Sequence, residues 1–346
     1  MTARTTPTAS HNWIRRARLW LGSDASRLPR FTAHRQMADR SVMLVKVFYV
    51  IALFKLYDDA GVYHRFGGDF ADQVLLWPLW WTALTDTAIA KQMLSWLALV
   101  AGVAGAFAWR WRASRLLVSL ALLQAVTFAN MGGSINHGQH EIFWVSVMFW
   151  FLPTGSPSTM LNNRFWRVRF IMTFAAAGGL ILFFYTLSGY FKVEHAFGQL
   201  FKGEVGGFHP DGMATILARR MMDSNTTPLL AELIIENPLL GWPMFLVVYY
   251  VELFAIVALF RPELVRLFGG ILMLFHLGTF IFMEIIFIDH VLINGLLFWL
   301  APWAVARPSV KEVLLALPLI GFWLRPLLRM RGADGAGDAS PTRAAA

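Results

Sequence analysis

Residues 170–190 read FIMTFAAAGGLILFFYTLSGY, the centre of an apolar run over 169–190 that carries no charged side chain after Arg169. A helix crossing the ~30 Å hydrocarbon core of a bilayer needs about 20 such residues. Open strands or loops there would leave backbone groups without partners. The run therefore reads as a membrane-spanning helix. Working outward from it, further apolar runs lie at 42–57, 92–109, 115–131 and 141–153 on one side, and at 239–260, 264–287 and 290–305 on the other. The run 141–153 is short and needs Gln139 and His140, or the shelter of neighbouring helices, to span. Composition agrees, with 57% hydrophobic and only 15% charged residues, where a soluble domain carries roughly 25% charged. The expected fold is an all-α polytopic membrane protein of about eight transmembrane helices.

Charge placement gives this count a direction, because short cytoplasmic loops collect Lys and Arg. Arg110, Arg112 and Arg115 form one basic turn, Arg164, Arg167 and Arg169 a second, and Arg261 with Arg266 a third. Alternating with these and with the basic segments at both ends are an Asp-rich segment (58–91), a segment without Lys or Arg (131–140), a mixed segment (193–238), and a turn holding only Asp289. Basic and non-basic connections alternate, which predicts both termini on the cytoplasmic side. The division expected is a basic tail over 1–40, a transmembrane domain over 41–305 with an outer loop at about 193–238, and a cytoplasmic segment over 306–346. Within the last, Val313–Leu328 reads as interfacial or re-entrant, since Pro318, Arg325 and Pro326 interrupt it, and Gly332–Ala346 reads as disordered. The tail has no apolar stretch of signal-peptide kind. The net charge of +9 fits an anchor on the inner leaflet, with the lipid bilayer as partner, and not nucleic acid. The location predicted is the cell inner (plasma) membrane, multi-pass.

Several chemistries are excluded. The chain has no cysteine, so disulfides, thiol catalysis, Cys-ligated zinc and iron–sulfur clusters are impossible. No Walker loop, dinucleotide fingerprint or HExxH motif occurs. His137 and His140, three apart, are too few for a metal site, and none is expected.

Ionisable residues within spans are costly and so mark function. On the eight-span reading they gather toward the outer side. Asn136 and His137 enter the fourth span, and Lys192, Glu194 and His195 close the fifth. Glu284, Asp289 and His290 join the last two spans, with Asn294 one turn further in. Glu252 and His276 lie deeper, and His276, Phe280 and Glu284 recur at four-residue spacing on one helical stripe. A Glu or His within a span can also simply bind a neighbouring helix, and Lys46 and Lys55 can snorkel. The convergence predicts an outward-opening pocket lined by Asn136, Glu252, Glu284, Asp289 and Asn294.

Two stretches, GGSINHGQHEIFWVSVMFWFLP and FFYTLSGYFKVEHAF, resemble the membrane domain of vitamin K-dependent gamma-glutamyl carboxylase and its bacterial relatives, the horizontally transferred transmembrane (HTTM) family. VELFAIVALFRPELVRLFGGILMLFHLGTF is similar to the next two helices of that domain, and the resemblance covers roughly 41–305. It implies a quinol-dependent enzyme whose cofactor is a reduced quinone, a vitamin K-like hydroquinone. It further implies that Lys192 is the activating base, His137 the histidine beside the oxygenated intermediate, and His276 a third catalytic position. The sequence departs from the family where Phe191 replaces a second lysine and where Leu-Gly-Thr-Phe follows His276 without polar residues. A counterpart of the carboxylase's large lumenal domain is not expected after the last span. Those departures weigh against glutamate carboxylation of a protein and leave quinol-linked chemistry as the expectation. A lysine serves as base toward a phenolic hydroxyl only where its surroundings disfavour the ammonium. The alternative is a non-catalytic membrane partner that binds or helps mature an exported peptide, with the contacts in 193–238. A proton-relaying transporter through Glu252 and His276 is a third reading, against which the absence of visible repeats counts.

Overall fold

The structure, a computed structural model, describes residues 35–131, 137–305 and 307–326. Among these the chain is all-helical, without strands. Four helices are long and apolar enough to cross a membrane: α2 (Thr87–Ala108), α3 (Arg112–Asn130), α6 (Arg164–Phe201) and α11 (Val265–Met283). α1 (Arg35–Arg65) has 31 residues and contains the run 42–57, but Arg40 and Asp58 bracket an apolar stretch that already holds Lys46 and Lys55. Residues 35–40, expected in the tail, belong to this helix; residues 1–34 and 327–346 lie outside the described residues.

The other apolar runs form shorter helices. α4 (His140–Phe149) has 10 residues, so at ~1.5 Å per residue it covers about half the hydrocarbon core. The segment that follows it is held by Arg115 of α3, which is fully buried and donates to the carbonyls of Leu152 (2.7 Å) and Pro153 (3.1 Å). That arginine, expected as a cytoplasmic charge, gives partners to buried backbone carbonyls beyond the helix end. The short α5 (Pro157–Asn162) then leads into α6.

α6 has 38 residues, about 57 Å at the standard rise, and runs on past the expected end near 190. Consequently Lys192, Glu194 and His195 lie within the helix and do not terminate it. The segment 193–238, expected as a loop, is largely helical: it holds the end of α6, α7 (Gly212–Ser224) and α8 (Ala231–Glu236).

The run 239–260 is not one helix. α9 (Pro238–Leu253) stops, and after a break at Phe254–Ile256 the chain resumes as α10 (Val257–Phe260). The freed amide of Ile256 donates to Thr186 Oγ1 of α6 at 2.9 Å, so the break leaves this backbone group with a partner inside the protein. One turn along α6, Gly189 has no side chain for a steric reason: a Cβ there would lie 2.3 Å from the Leu253 amide and 2.6 Å from the Glu252 carbonyl carbon. Thr186 and Gly189 together seat the broken helix against α6.

The last run is α12 (Ile288–Asn294), whose final turn widens into a π-helix over Gly295–Trp299. Beyond it, α13 (Val310–Ala316) begins with a capping box of Ser309 and Glu312. The chain breaks at Leu317–Leu319, with Leu319 left-handed at φ 59°, and is helical again over 320–326. Each piece is too short to cross a bilayer. Arg261, bonded to the Ala316 carbonyl, and Tyr250, donating to the Pro318 carbonyl at 2.6 Å, dock the segment onto the α9–α10 side of the protein.

Candidate functional site

The structure draws α4, α6, α9, α11 and α12 around one polar centre. Lys192 and Glu252, 60 residues apart, form an ion pair in which the lysine Nζ lies 2.6 Å from each carboxylate oxygen. The Glu252 side chain is only 2% exposed and that of Lys192 36%, so the carboxylate is the enclosed member of the pair. Their meeting follows from the local backbone. Gly189 lets the end of α9 touch α6, and Lys192, one turn later, reaches the last residues of α9. The amine also stands 5.2 Å from the centre of the Phe275 ring, a cation–π distance.

Two turns before Lys192 on α6, the Tyr185 hydroxyl lies 2.6 Å from His276 Nε2 of α11 and accepts from Asn294 Nδ2 of α12 at 2.8 Å. All three residues are buried. Glu141, in the first turn of α4, also faces Tyr185 and stands 3.7 Å from His290 Nε2. The rings of His276 and His290 are 4.5 Å apart, and Phe287 sets its edge against both. Asp289 is buried beside them, within electrostatic reach of Lys55 and Asp59 of α1. Lys55 and Asp59 pair with each other one turn apart, both side chains largely buried, so Lys55 does not snorkel.

An apolar cleft of about 450 Å³ adjoins the ion pair, between α7, α9 and α11. Phe275 belongs to both: one residue carries the ring beneath Lys192 and lines the cleft, together with Met244, Val248, Leu274 and Phe282.

Of the residues singled out from sequence, Lys192, Glu252, His276, Asp289 and Asn294 come together here. Asn136 lies outside the described residues. His137 begins a 3₁₀ turn, His137–Gln139, and its side chain is likewise outside what is described. Glu284 does not join the centre. It is the exposed C-terminal cap of α11, left-handed at φ 55°, and Phe280 is half exposed; the expected His276–Phe280–Glu284 stripe ends because the helix does. Three members were not picked out as site residues: Tyr185, Glu141 and His290. Tyr185 has a signal in hindsight, being a hydroxyl seven residues, hence two turns, from Lys192 on the same face of the helix.

No family model matches the chain, and neither a curated protein nor a solved structure matches it.

Proposed function

We propose that this chain is an inner-membrane protein of the HTTM kind, crossing the bilayer eight times with both ends inside, and that its polar centre removes a proton from a membrane-soluble phenol such as a reduced quinone. The observation that carries the reading is Phe275. It links the Lys192–Glu252 pair, whose carboxylate is enclosed, to an apolar cleft, the arrangement needed by a ligand with a polar ring and a hydrocarbon tail. The interrupted α9–α10 helix supports it, since broken helices inside membranes mark binding sites.

The role given to Lys192 changes with its partner. The phenolic proton passes to the Glu252 carboxylate, and the phenolate left behind is held by the Lys192 ammonium in a low-dielectric site where that attraction is strong. A reduced quinone would supply the reducing electrons for any following reaction with dioxygen. The resemblance to the carboxylase membrane domain assigns His137 to that later step.

The test is purified protein in nanodiscs with menaquinol or a short-chain naphthoquinol under oxygen. Oxygen uptake or epoxide formation should appear, and Lys192→Ala and Glu252→Gln should each reduce it at least tenfold while Arg219→Ala, on the exposed face of α7, should not. Failure of the wild type with the whole quinol panel rejects the reading. The exposed apolar side chains Met222 and Leu229 in the helical 193–238 segment favour the second reading, a partner for an exported peptide. In that case deletions in 212–236 abolish function and Lys192→Ala does not.

A further inference from the structure

Glu141, His276 and His290 come from three helices, α4, α11 and α12, yet one ligating atom from each lies within 4.8 Å of the other two. All three are buried, with residue exposures of 7%, 6% and 7%. Two imidazoles and one carboxylate form a donor set used by catalytic zinc and by non-haem iron(II). We infer that this triad is a binding site for a divalent first-row transition-metal ion, a site that the ion pair and the quinol reading neither need nor supply.

Four features carry the inference. The first is spacing. Ligands at ~2.0–2.2 Å from one ion lie ~3.0–3.4 Å apart in octahedral or tetrahedral geometry. The Glu141–His290 contact of 3.7 Å is close to that, and a rotation of the side chains draws the third ligand in. The second is an unused lone pair. Among the described residues, His276 Nδ1 is buried without a hydrogen-bond partner, as is Glu141 Oε2. The third is the outer shell. A metal-bound histidine characteristically anchors its other ring nitrogen. His276 does so through Nε2, 2.6 Å from the Tyr185 hydroxyl, which Asn294 holds in turn. In the tautomer whose Nε2–H donates to Tyr185, Nδ1 keeps its lone pair for a metal, and the tyrosine proton turns toward Glu141. The fourth is enclosure: the three ligands and the adjacent Asp289 are all buried, and buried polar groups need partners.

The sequence hid this site because its ligands are 135 and 14 residues apart along the chain (141 to 276, and 276 to 290). No local spacing announces it.

Cobalt(II), a spectroscopic stand-in for zinc and iron(II), tests it directly. Full-length protein in detergent, stripped with chelator, is titrated with Co²⁺. The expected result is one ion per chain with visible d–d absorption. Glu141→Gln and His290→Ala should each weaken binding at least tenfold, and Tyr185→Phe by a smaller factor. Lys192→Ala should bind Co²⁺ as the wild type does, so loss of quinol turnover and loss of metal are separable. Because a variant can fail to fold, X-ray absorption at the cobalt edge of the wild type is the second measurement. Imidazole scattering from two histidines supports the site. Absence of stoichiometric binding, of imidazole ligation, or of any effect in well-folded Glu141→Gln and His290→Ala protein overturns it.

Discussion

Residues 35–131 and residues 137–305 are both helical and apolar, yet they are built differently. In the first region α1, α2 and α3 are long and uninterrupted, packing through small residues such as Ala98, Ala101 and Gly102, and the buried ion pair, Lys55–Asp59, joins neighbours on one helix. In the second, α4 is cut short, α9 breaks, and α12 widens into a π turn. The polar contacts there cross from helix to helix over 60, 91 and 109 residues of chain. An unbroken helix satisfies its own backbone and presents mainly side chains to lipid or to a neighbour. An interrupted one exposes amides and carbonyls that other elements must meet, and so ties distant residues to one point. The first region is a scaffold in this sense, and the second gathers the buried polar groups.

That contrast can be broken at the break itself. Gly189→Val sets two γ-carbons where even a Cβ overlaps the Glu252–Leu253 backbone, so α9 must leave α6. The expected outcome is loss of the folded protein, or a fall in stability above ~3 kcal/mol, read by thermal unfolding in detergent; the same change at Gly198, which faces open space, should cost little. Arg115 tests whether scaffold and centre are coupled. Arg115→Met strands the Leu152 and Pro153 carbonyls and should cost about 3 kcal/mol, with Co²⁺ and quinol affinities unchanged in whatever protein remains folded.

Within the centre, the unequal burial of the ion pair makes the order of effects a sharper measurement than their size. Lys192→Met abandons a carboxylate that is 2% exposed, whereas Glu252→Gln leaves an ammonium that is 36% exposed. The first should therefore lower stability more, by about 2 kcal/mol against 1 or less after allowing for solvent screening, read as the larger drop in unfolding temperature. The double variant Lys192→Met/Glu252→Leu should recover part of the loss. If Glu252→Gln proves the more damaging, the enclosed member of the pair has been misidentified. Tyr185→Phe deletes a hydroxyl with two buried partners and should cost about 1–2 kcal/mol.

The smallest effect belongs to the connection between α1 and α2. Asp69 is held below the usual carboxylate range by the Thr87 hydroxyl, and then by the Ala71 amide. A group depressed in the folded state adds stability above its unfolded value, near ~3.9, and loses it as pH falls through the folded value. Thr87→Ala should flatten that acid limb slightly and leave stability at pH 7 and above little altered in its pH dependence.

Helices were legible wherever the chain repeats one local rule. The charge-free residues 170–190 could form nothing else in lipid, and the runs behind α2, α3 and α11 followed by the same test. Legibility failed where a residue's environment depends on a distant one. The run 239–260 reads as one span because its break comes from Thr186 and Gly189 meeting Ile256 and Leu253. Arg115 reads as a loop charge because the carbonyls it serves lie 37 and 38 residues away.

Lys192, Glu252, His276, Asp289 and Asn294 stood out in sequence because a charge or amide among apolar neighbours is costly without a purpose. Composition and periodicity, which act over a few residues, determined that this chain forms helices long and apolar enough to cross a membrane. Which polar groups touch, that Lys192 has a carboxylate for company, and that Glu141 stands with two histidines were decided only by the tertiary structure. Those contacts depend on helix lengths, breaks and crossings that only packing sets.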